Sequence, residues 1–89
     1  MYDIKEYSYK KAHEIGTTIR PSTRKNKKID VYVDDDYIIS IGDSRYSDYP
    51  TYLETHGKEY ANERKRLYHL RHKKDLNHFK GFMAMYILW

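Results

Sequence analysis

The run Arg64-Lys65-Arg66-Leu67-Tyr68-His69-Leu70-Arg71-His72-Lys73-Lys74 concentrates cations, with Tyr60 a turn upstream. Clusters of Lys and Arg bind phosphate backbones because each contact releases condensed counterions, and interleaved tyrosines offer faces on which bases stack. A second basic block, Arg24-Lys25-Asn26-Lys27-Lys28, lies upstream. Phosphate contacts from this sequence fall to Arg24, Lys25, Lys27, Lys28, Lys65, Arg66, Lys73 and Lys74. The same run also reads as a solvated helix whose Arg64 and Arg71 pack against the acidic centre of the chain.

The second candidate is the loop Tyr46-Ser47-Asp48-Tyr49-Pro50-Thr51-Tyr52. Asp48 is the natural acceptor for Arg64 or Arg71, and a bidentate arginine–carboxylate pair would pin this loop to the basic helix. The pinning set is Tyr46, Asp48, Tyr49, Arg64, Tyr68, Arg71 and His72. A catalytic carboxylate needs an acid or base partner that the sequence does not signpost, so no catalytic residue is assigned. His69 and His72, three residues apart on a helix, could ligate a metal with His56 or His78, but no motif fixes a third ligand. Asp34-Asp35-Asp36 reads as a solvated turn. The sequence has no glycine-rich phosphate loop and no nucleophile elbow, and it implies no metal and no cofactor.

The chain closes on Phe82-Met83-Ala84-Met85-Tyr86-Ile87-Leu88-Trp89, which is too apolar to lie in water. It either closes the core of this domain or inserts into a groove on a partner, through Phe82, Met85, Tyr86, Leu88 and Trp89. It is far shorter than the ~20 apolar residues that cross a bilayer.

These residues must be positioned by a small framework. Eighty-nine residues make a single domain, close to the lower limit for one unassisted hydrophobic core. Cysteine is absent, which excludes disulfide staples and thiolate zinc and suits synthesis in a reducing, intracellular place. Eleven tyrosines, each with a hydroxyl to satisfy, predict modest stability alone or stabilisation by a partner. The net charge of +4 is zoned, with two basic blocks flanking the acidic segment 31–50. Zoning favours a defined electrostatic interface over bulk charge coating. The N-terminus lacks the apolar core of a secretion signal.

The expected fold class is α+β. Lys28–Val33 and Tyr37–Gly42 alternate around Asp34-Asp35-Asp36 and predict an antiparallel hairpin over 28–42. Ile15–Arg20, β-branched and stopped by Pro21, adds a short strand. Residues 1–13 show no clean period and read as an extended arm or a weak first turn of helix. Asp43–Gly57 reads as an ordered loop held by its aromatic side chains. Lys58–Lys74 reads as the basic helix, with Glu59 and Glu63 early and Arg71, Lys73 and Lys74 late, as the helix dipole prefers. A short apolar C-terminal helix then packs across the sheet.

The order Tyr46-Ser47-Asp48-Tyr49, then Glu63-Arg64-Lys65, Tyr68 and Arg71-His72-Lys73-Lys74, then Gly81-Phe82 and Ile87-Leu88-Trp89, resembles a family. Its members are small uncharacterised proteins of large double-stranded DNA viruses of algae and amoebae, with relatives in phages. The likeness covers residues 42–89. Pro50–Gly57 is an insertion relative to that pattern, and Met85 and Tyr86 stand where the family carries an arginine. The resemblance implies a viral context and no chemistry. With the docking-type terminus, it leads to a non-enzymatic virion component. This would be a minor capsid or capsid-associated protein, made in the host cytoplasm and partnered by larger viral proteins. The alternative is a small basic protein bound to the viral genome, and a third possibility is a host-directed inhibitor acting by protein binding.

Overall fold

Strand formation follows the alternation of the sequence. A computed structural model describes residues 1–89. It places strand β1 at Thr18–Pro21, β2 at Lys27–Val33 and β3 at Asp36–Asp43, in one antiparallel sheet of order β1-β2-β3. Ile19 pairs with Val31, and Ile29 with Ile41, so the aliphatic residues share one face. The β2–β3 turn uses Asp34 and Asp35, both at positive φ (50° and 68°), the type I′ geometry that matches strand twist. A register shift beside Val31 and Tyr32 leaves Ile38 as the extra residue of a bulge.

Four helices complete a small α+β fold: α1 (Glu6–Glu14), α2 (Tyr49–His56), α3 (Lys58–Arg71) and α4 (Phe79–Leu88), with a 3-10 segment, Lys73–Asn77, before the last. The expected N-terminal arm is therefore a helix from Glu6 onward. Its buried residues are Ser8 and Ala12, four apart, and Ile4 just before the helix lies buried in line with them. Ser8 Oγ donates to the Ile87 carbonyl at 2.8 Å and satisfies a last-turn acceptor of α4.

Part of the expected loop is also a helix. Asp48 caps α2 by accepting from the Thr51 amide at 3.0 Å, and Pro50 sits in the first turn, where no N–H is needed. Gly57 (φ 89°) separates α2 from α3. The basic helix ends at Arg71, and Lys73 and Lys74 belong to the 3-10 segment.

The hydrophobic cluster joins Ile4, Ala12, Ile19, Ile29, Val31 and Ile41 to Met83, Ile87 and Leu88 of α4. No residue of α2 or α3 belongs to it. The α2–α3 hairpin is attached to the rest mainly by polar and aromatic contacts, and a cleft opens along that seam.

Candidate functional site

The seam is fixed first by a buried ion pair. Asp48, fully buried, receives Lys28 Nζ on Oδ2 at 2.6 Å, and the Tyr2 hydroxyl donates to the same oxygen at 2.6 Å. Lys28 is itself 3% exposed. Burial, and then the hydrogen bond to the Asp48 carboxylate, pushes the Tyr2 phenol well above its ordinary range. The expected partner of Asp48 is thus corrected: Lys28 of β2 takes the place of Arg64 or Arg71. A lysine inside the domain with its charge matched is also removed from the set free to meet phosphate.

An aromatic column forms the second attachment. Trp89 stacks on Tyr68 with centroids 4.2 Å apart and planes 7° from parallel, and Tyr68 stacks in turn on His72 at 4.2 Å. His72 Nδ1 bonds Oδ2 of Asp75 at 2.7 Å. Burial raises the Tyr68 phenol above its usual range, with Asp75 adding to the effect.

Between these attachments lies a cleft of about 400 Å³. Lys28 and Gly42 from the sheet and Leu88 and Trp89 from the terminus form one wall, while Tyr52, Arg64, Tyr68 and Arg71 form the other. Arg64 sits over the Tyr52 ring, 5.7 Å from its centroid, and its Nε is buried with no hydrogen-bond partner. Arg71 is exposed and makes no ion pair. Asp43 also lines the cleft, where Arg45 grips its carboxylate at 2.7 and 2.9 Å and holds it well below the usual carboxylate range.

The pinning set therefore divides. Arg64, Tyr68, Arg71 and His72 line the cleft, and Asp48 anchors the loop beside it. Tyr46 lies along the cleft at 71% exposure and pins nothing. Tyr49 lies elsewhere: its hydroxyl donates to Asn62 at 2.9 Å and its ring carries Lys65 Nζ at 4.6 Å from the centroid.

The docking set divides as well. Met85 and Leu88 are buried in the domain's own core, because α4 closes that core instead of leaving it. Phe82 is exposed, and Tyr86 and Trp89 are half-buried.

Of the phosphate set, Lys25, Lys73 and Lys74 are exposed. Arg66 is committed to Glu63, and Arg24 packs over Tyr37 and reaches Ser40 at 3.1 Å. Lys27 lies beside Lys80, whose ammonium it pushes down. Lys65 is likewise lowered, first by burial and then by Lys11. Among the histidines, His56 stacks on Tyr60 at 4.4 Å and His69 lies 3.4 Å from the Trp89 carbonyl, so each faces a different neighbour.

Comparison with protein-family models, curated proteins and solved structures gives no match. The geometry stands by itself.

Sequence reasoning missed Tyr2 and Gly42 as parts of this site, and it named Tyr52 within the candidate loop without giving it a role. A signal for Gly42 was present in its place next to Asp43 at the end of a strand, where a positive φ (78°) is required. Tyr2 carried none, since its partner is 46 residues away.

Proposed function

We propose that the protein is a non-enzymatic virion component, a minor capsid or capsid-associated protein that docks between larger subunits. The observation that carries this reading is a row of exposed apolar side chains along α4 and the segment before it. Phe79 is 54% exposed and Phe82 38%, and Phe82 stacks on Tyr86 at 5.8 Å. Phe82, Tyr86, Leu76, Met85 and Trp89 border a shallow groove of about 290 Å³. Aromatic anchors beside an apolar groove are what protein interfaces use at their energetic centres. Docking is thus assigned to the outer face of α4, since its inner face is consumed by the core.

Quantitative mass spectrometry of purified particles tests this reading. A fixed copy number relative to the major capsid protein, retained through a high-salt wash, supports it. Absence from particles, or release by salt or nuclease, overturns it. A Phe79→Ser/Phe82→Ser variant should fold and fail to incorporate.

Genome association is the second reading. It is favoured by Arg64 and Arg71 of the basic helix, which line one cleft with no carboxylate paired to either. No helix is long and apolar enough to cross a membrane.

A further inference from the structure

We propose that the cleft between the core and the α2–α3 hairpin binds one nucleotide, with its phosphate on Arg64 and Arg71 and its base against the aromatic wall. This deepens the genome-association reading and does not depend on particle docking, because the cleft and the α4 groove share only Trp89.

Charge comes first. Four charged side chains line the cleft besides His72, and two of them are already matched: Lys28 by Asp48 and Asp43 by Arg45. Arg64 and Arg71 are left as two uncompensated guanidinium groups, and no carboxylate lies within ion-pair distance of either. A guanidinium fork matches a phosphate in geometry as well as charge.

Arg64 is held in place at the cleft wall: it is half-buried, its guanidinium lies over the Tyr52 ring, and its Nε is out of contact with solvent. A guanidinium fixed in this way loses little freedom when its outer nitrogens grip a phosphate.

Size and lining choose among anions. About 400 Å³ is in the range of small-molecule sites and far exceeds what an inorganic oxyanion fills. The remaining wall is aromatic: Tyr46 is largely free in solvent, Tyr52 carries Arg64 on its ring, and Trp89 borders the cavity with one face on Tyr68. Phosphate at one end and a stacked ring at the other describe a nucleotide. The nucleotide can come from solution or from an unpaired strand, and both present the same chemistry.

Trp89 is the only tryptophan in the chain, so its fluorescence reports on the cleft directly. The full chain is titrated with AMP, UMP, adenosine, inorganic phosphate, phosphotyrosine and oligo(dT) at two salt concentrations. Saturable change with AMP or UMP, weaker with adenosine or phosphate alone, is expected. Arg64→Gln and Arg71→Gln should each weaken the response about tenfold, while Arg20→Gln, exposed on β1 and outside the cleft, leaves it unchanged. Tighter binding of oligo(dT), lost as salt rises, identifies a strand as the source, and equal or tighter binding of AMP identifies free nucleotide. No response, no preference for AMP over phosphate, tighter binding of phosphotyrosine, or Arg64→Gln and Arg71→Gln binding as wild type overturns the proposal. Circular dichroism checks that each variant folds, and Arg71, exposed and unpaired, keeps the test decisive if Arg64→Gln does not.

Discussion

Lys28 Nζ and Asp48 Oδ2 lie 2.6 Å apart inside the domain, joining the start of β2 to the N-cap of α2. Neither charge reaches water. Such a pair returns little net stability over an apolar substitute, yet losing one partner strands the other charge. Its use here is placement, because it sets where the α2–α3 hairpin meets the sheet and so fixes one end of the cleft.

Breaking that pair from one side should therefore cost more than replacing both. Asp48→Ala strands Lys28, frees the Tyr2 hydroxyl and removes the α2 cap, and should destabilise the domain by about 3–5 kcal/mol. Lys28→Met combined with Asp48→Asn should recover a substantial part of that loss. Urea unfolding of the single and double variants measures it, and a double variant less stable than Asp48→Ala would show that the pair supplies more than matched charge.

Tyr2 makes the fold sensitive to alkali. Its phenol is raised above the ordinary value near 10, so the neutral form is favoured in the folded state. The stability it contributes is complete below that value and declines as pH rises toward the folded pKa, because the unfolded chain ionises first. Tyr7 and Tyr68 are shifted the same way by burial. Wild type should lose stability from pH 8 to pH about 10.5, and Tyr2→Phe should lose measurably less, as read from urea midpoints at the two pH values.

The glycines separate two kinds of demand. A Cβ on Gly42 would meet Leu88 Cδ1 at 2.7 Å and Lys28 Cδ at 3.0 Å on a backbone at φ 78°. On Gly16, at φ 73°, it would meet nothing within 4 Å. Gly16→Ala should cost about 1 kcal/mol, the left-handed strain alone. Gly42→Ala adds overpacking between the core and the buried lysine, and should cost about 2–4 kcal/mol. Thermal unfolding of the two variants compares them.

Legibility followed how local the cause was. The hairpin could be read because Ile29, Val31, Ile39 and Ile41 alternate around a turn chemistry that Asp34 and Asp35 satisfy by themselves. Helix α1 could not, because its buried stripe passes through Ser8, a polar residue whose partner is the Ile87 carbonyl at the far end of the chain. Helix α2 was hidden because Asp48, Tyr49 and Pro50 look like a loop, although a carboxylate cap followed by proline also starts a helix. Arg64, Tyr68, Arg71 and His72 were singled out as residues that pin the loop, whereas they line a cleft whose facing residues Lys28 and Gly42 come from two strands more than 20 residues earlier, which no periodicity reports.

The α2–α3 hairpin should open independently of the core. None of its residues joins the main hydrophobic cluster, and Ala61 is the only buried residue of α3. Its hold on the rest includes the Lys28–Asp48 pair at one end and the Tyr68–Trp89 stack at the other. Amides of α3 should then exchange with solvent through local opening, while those of β2 require global unfolding. Tyr68→Ala removes a stack worth about 0.5–1.5 kcal/mol beyond its buried area, and should speed exchange across α3 by roughly an order of magnitude while leaving β2 much less affected. Hydrogen exchange resolved by residue decides it. Equal acceleration in α3 and β2 would mean that the hairpin and the core unfold as one unit, and the cleft would then be a rigid feature of the fold instead of a seam.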